Sequence, residues 1–124
     1  PLARRLDQPA CWMGIPAALF AWGHYRPGDY GANAWAVALW ALVFGLLAAD
    51  LTARSGTLGA AMGFHFANNL SALLLVGLNG DMDGLALWTL KIDIAGQGVL
   101  APALTLDFAV MFVSWLLARL SLRV

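Results

Sequence analysis

Glutamate is missing from this 124-residue chain, and all seven acidic residues are Asp. Any chemistry that needs a glutamate as acid or base therefore lacks that group here. Cysteine is nearly missing too: Cys11 stands alone, cannot close an internal disulfide and says little about redox compartment. Charge is scarce at 11%, where ordinary globular domains carry near a quarter. The net charge is zero, so no broad attraction to nucleic acid is expected. No internal repeat or low-complexity segment is visible. The chain starts at Pro1 with no signal peptide, and reads as the C-terminal part of a longer protein.

What remains is apolar. Hydrophobic residues make up 61% of the chain, and six Trp favour membrane interfaces. Four candidate spans can be drawn: Ala10 to His24, Ala34 to Ala49, Thr57 to Leu78 and Val99 to Leu120. A full crossing takes about 20 residues at roughly 1.5 Å rise each, so the first two are short. Gly14 and Pro16 predict a kink in the first. The third carries no formal charge. The expected fold is therefore all-α, a polytopic transmembrane helical bundle of about four spans, with residues 1–124 in one transmembrane domain.

Turn signals separate the spans. Tyr25-Arg-Pro-Gly-Asp-Tyr30-Gly lies between the first two, and Leu51-Thr-Ala-Arg-Ser-Gly56 forms a tight link to the third. Asn79 to Gly98 is long and acidic, and its Leu85-Ala-Leu-Trp-Thr-Leu90 stretch predicts a short interfacial segment anchored by Trp88. Arg4, Arg5, Arg54, Arg119 and Arg123 fall on one side of this arrangement, Arg26 and Lys91 on the other. The positive-inside rule then puts both ends in the cytoplasm, with membrane lipids as the surrounding partner.

The only two histidines stand inside apolar segments. An imidazole in hydrocarbon needs partners for its donor and its acceptor, and ionisable groups at that depth usually mark a site. His24 closes Phe20-Ala-Trp-Gly-His24, and His65 opens His65-Phe-Ala-Asn-Asn69. Spacing four puts each pair on one helix face. Spans one and three run parallel, with His65 about 12 Å and Asn69 about 18 Å along the helix from Thr57, and His24 about 21 Å from Ala10. All three come near one level, as two halves of one intramembrane site. The competing reading is structural: either histidine could bond a backbone carbonyl or an Asn across an interface. Asn68 points about 100° from Asn69 and suits a helix–helix hydrogen bond. Gly59, Gly63 and Ala67 form a small-residue ridge for close helix packing, nearly opposite His65. Asp50, Asp81 and Asp83 read as solvated loop or helix-end charges, and Asp107 as interfacial or bundle-facing.

Together these motifs resemble the CPBP family of intramembrane proteases, which includes the CAAX prenyl endopeptidases and bacterial Abi-type proteins. That family carries a Glu-Glu-xxx-Arg, a Phe-xxx-His and a His-xxx-Asn/Asp motif on successive helices. Phe20 to His24 matches the second and His65 to Asn69 the third. The stretch from Arg54 to Asn69 also resembles the approach to the third motif, and the resemblance covers about Pro1 to Val76. The first motif is absent, and Arg4 and Arg5 come too late to be its arginine.

The resemblance implies an endopeptidase that hydrolyses a membrane-associated peptide or protein with an activated water. His24, His65 and Asn69 are its implied catalytic residues here. A glutamate would take the water's proton while His and Asn hold the water and the oxyanion. Alternatively a Glu/His-bound zinc would acidify that water, with His24 and His65 among its ligands. The cofactor is left open between zinc and none. Lacking the glutamate, this chain alone is expected to be silent. A non-catalytic membrane protein of the same architecture, for bacteriocin immunity or scaffolding, is the other reading, and a transporter segment is a distant third. The expected location is a bacterial inner membrane.

Overall fold

The structure is a computed structural model that describes residues 8–78, 83–91 and 100–124. Arg4, Arg5 and Asp81 lie outside these residues. Helix α1 runs Pro9–His24, with a proline in its first turn and Pro16 inside it without ending it. A proline early in a helix is tolerated because the first amides have no helical acceptor anyway. A single turn, α2 (Pro27–Tyr30), and a 3₁₀ turn at Gly31–Asn33 lead into α3, Ala34–Ser55. Gly56 ends α3 in the left-handed region at φ 71°, its N–H donating to the Thr52 carbonyl. A residue without a Cβ takes that conformation at little cost. The link to α4 (Gly59–Leu70) is thus only Gly56 to Leu58, and α3 extends past Asp50 where the sequence predicts an earlier end. Helix α5 spans Leu100–Leu122.

Helix α3 is the centre of the bundle. Ala34, Ala38, Ala41, Phe44, Leu47 and Leu51 are buried along it at helical spacing. Its neighbours alternate in direction. The pairs Ala17 with Gly45, Phe20 with Phe44 and Tyr25 with Trp35 set α1 antiparallel to α3. Phe64 stacks flat on Phe44, with ring centroids 4.9 Å apart and 10° between planes, as α4 returns beside it. Met111 of α5 joins the core of Phe44, Leu47, Leu51 and Phe64. Trp115 reaches Asp50, so α5 runs parallel to α3.

The surface is as apolar as the interior. Leu19, Trp22, Trp35, Met62, Phe66 and Leu120 are each at least 66% exposed, and no polar or charged residue is buried among the described residues. Water would penalise such a surface; lipid does not. Two segments are long and apolar enough to cross a membrane, Pro27–Ser55 and Pro102–Leu122. The fold is an all-α membrane bundle.

Two expectations need correction. The third span does not continue as a helix to Leu78. Helix α4 stops at Leu70, widens into a π-helical turn at Ser71–Leu75, and gives way to a short strand β1, Val76–Leu78. A 3₁₀ turn at Asp83–Leu85 leads to strand β2, Trp88–Leu90, which pairs parallel with β1 in the register Val76 to Trp88. Among the described residues the Gly59, Gly63 and Ala67 ridge packs against no helix: all three are exposed, and a Cβ on Gly63 would meet nothing within 4 Å. The close approach sits instead at Gly45, whose missing Cβ would lie 3.0 Å from Ala17 Cα and 3.1 Å from Ala17 Cβ.

Candidate intramembrane active site

The site is built on an aromatic cluster. Phe44 stands at its middle and contacts Phe20, Trp40, Phe64 and His65. The His65 ring meets Phe44 edge-on at 5.4 Å and Phe20 edge-on at 5.9 Å. His24 lies against the same Phe20 ring at 4.4 Å. The two imidazole centroids are therefore separated by no more than the sum of their two distances to Phe20. Phe20 is the bridge between them. Register fixes the levels: Phe20, Phe44 and His65 share one height, because the first two stack across α1 and α3 and the third meets both. One turn further along the parallel helices α1 and α4 come His24 and Asn69, about 6 Å higher.

The surroundings of the three residues differ. His24 is half-buried in the last turn of α1, and its Nδ1 lies 2.8 Å from the Phe20 carbonyl. A carbonyl oxygen can only accept, so Nδ1 carries the proton and donates. In the neutral ring the lone pair is then on Nε2, fixed in orientation by the helix itself. The structural reading of His24 is thus half right: one nitrogen is spent on backbone, and the other is spare. The side chains of His65 and Asn69 have no hydrogen-bond partner among the described residues. They line one open depression of about 440 Å³ with Ala48, Ala61, Met62 and Phe66. A second depression, of about 280 Å³, reaches from His65 past Phe20 to Pro16 and Thr52. His24 lines neither. The Asn68 side chain makes no hydrogen bond among the described residues, so its expected cross-helix bond is not present there.

The type II CAAX prenyl endopeptidase Rce1-like family matches residues 1–71. The chain belongs to that family. The match takes in α1, α3 and α4, with Phe20, His24, His65 and Asn69 all inside it, and leaves α5 outside. No curated protein and no solved structure matches the chain.

The donor set does not make a zinc centre by itself. Zinc sites use three or four protein ligands, and no group of three His, Cys, Asp or Glu residues comes together among the described residues. Two imidazoles against one phenyl ring fall short of that. Sequence reasoning missed Phe44. It is one apolar residue among many in α3, and nothing in its local sequence marks it as the wall behind His65.

Proposed function

We propose that this chain supplies the histidine and asparagine part of an intramembrane endopeptidase site. The observation that carries this reading is the packing of both imidazoles on one Phe20 ring, with His65 and Asn69 opening together on a groove. In this reading Nε2 of His24 accepts a hydrogen bond from the attacking water. His65 shares in holding it, and the Asn69 amide N–H donates to the oxygen of the attacked carbonyl as charge develops there. Proton abstraction needs a carboxylate with raised basicity. The family glutamate is not among these 124 residues, and no step is routed through zinc. The groove walls are apolar, Ala48, Ala61, Met62 and Phe66, which suits a substrate held at the membrane. The absence of any Glu favours the second reading, a non-catalytic membrane protein, for the chain taken alone.

The test is a proteolysis assay in liposomes. It compares this chain with one extended by a helix bearing a Glu-Glu-xxx-Arg motif, and with His24→Ala and His65→Ala in the extended form. The expected result is silence from the chain alone and a loss of about 10²–10⁴ in rate for each substitution. Activity that survives both substitutions would overturn the site assignment. The same reading places the face that carries Arg54 and Arg119 in the cytoplasm. Thiol labelling of a Cys placed at position 54 from the outer side only would reverse that orientation.

A further inference from the structure

One polar cluster lies away from the histidines, where α3 and α5 end on the same face of the bundle. Arg54 Nε donates to Asp50 Oδ1 at 2.7 Å. Trp115 Nε1 donates to the other oxygen, Asp50 Oδ2, at 3.0 Å. Arg119 closes the group, with Nε 4.0 Å from Asp50 Oδ2 and its guanidinium over the Trp115 ring at 5.0 Å. Arg119 Nε also donates to the main-chain oxygen of Val124 at 3.2 Å.

Two guanidiniums thus flank one carboxylate, and the Val124 main-chain oxygen is a further acceptor on Arg119. Both carboxylate oxygens are engaged. Both arginines make their hydrogen bonds through Nε, and their terminal Nη groups make none among the described residues. The side chains are accessible, 46% for Arg54 and 27% for Arg119. Leu58, Leu120 and Leu122, within four residues of Arg54 or Arg119 in sequence, are exposed. Paired guanidinium forks with unengaged Nη donors complement a phosphate oxygen set. Exposed leucines at the same helix ends complement acyl chains attached to that phosphate.

We propose that Arg54 and Arg119 bind the phosphate of an anionic phospholipid headgroup, with Asp50 and Trp115 holding the two side chains in place. The proposal is independent of the protease reading. It gives α5, which lies outside the family match, a lipid-recognition role shared with α3.

The experiment uses the full chain in neutral detergent micelles, and measures retained lipid by native mass spectrometry. Phosphatidylglycerol and phosphatidylcholine with the same acyl chains are offered in turn, and inorganic phosphate and glycerophosphate as soluble competitors. Preferential retention of phosphatidylglycerol is expected. Arg54→Gln and Arg119→Gln should each weaken it about five-fold, and Arg26→Gln, at the opposite end of the bundle, should leave it unchanged. Arg54→Lys and Arg119→Lys keep the charge and lose the fork. They should retain the anionic preference at intermediate affinity, which separates lost binding from lost folding. Equal retention of the two lipids, or Gln variants that bind like the unaltered chain, would overturn the proposal. Displacement of phosphatidylglycerol by millimolar inorganic phosphate would assign the site to free anions and overturn its lipid source.

Discussion

Helix α3 holds its neighbours by two different kinds of chemistry. Toward α1 and α4 the contact is shape: Gly45 lets Ala17 approach within 3.1 Å of where a side chain would stand, and Phe44 fits between Phe20 and Phe64. Toward α5 the contact is mixed. Met111 reaches the core, Trp115 and Arg119 meet Asp50, and much of the rest of α5 faces outward, with Leu106, Val110, Val113 and Leu117 all more than half exposed. In lipid an apolar helix gains little by touching another apolar helix, so association depends on close packing or on polar pairs. The first region uses the former to place the histidines. The second uses the latter to fasten α5 at one end.

That contrast can be broken. Phe44→Ala removes the ring that four others touch, and should cost about 3–5 kcal/mol of stability, at the level of a large buried aromatic. It should also free the His65 ring, seen as a sharpened and shifted imidazole NMR signal. If unfolding in a detergent titration is unchanged, the aromatic cluster is not what holds α1 and α4 together. Asp50→Asn keeps the shape but removes the charge that both arginines meet. The expected loss is smaller, about 1–2 kcal/mol for a partly exposed charged hydrogen bond. It should appear as faster amide exchange confined to α5, and uniform acceleration through α1 and α4 would contradict the division into two regions.

Glycines sharpen the comparison further. Gly45→Val forces atoms into the backbone of Ala17 and should destabilise by about 1–3 kcal/mol. Gly63→Ala meets open space, and should stabilise by about 0.5–1 kcal/mol through helix propensity alone. Thermal unfolding of the two variants side by side checks both signs. Reversed signs would mean that the ridge on α4, not the one on α3, is the packing surface.

Much of the fold was legible beforehand, for identifiable reasons. The helices of α1 and α5 follow from long apolar runs, and the alternation of direction follows from turn signals such as Tyr25-Arg-Pro-Gly. The order of the spans put Arg54 and Arg119 on one side, and both reach Asp50. The end of α4 was not legible. An uncharged apolar run continues to Leu78, and neither composition nor spacing announces the π-helical turn at Ser71 or the strand pair that follows. Asp50 was misread as a solvated charge because its partner Trp115 is 65 residues away.

The sequence by itself determined the inventory. It set the apolar helices, the two lone histidines with their i+4 companions, and the lack of glutamate, because helical periodicity and composition are local properties. Only the tertiary structure decided that Phe20 touches both His24 and His65, that Phe44 backs the site, and that Gly45 rather than Gly63 is where the described helices meet. Those facts depend on which faces of separate helices are brought together. A face that meets lipid and a face that meets protein look alike in composition, so only packing distinguishes them.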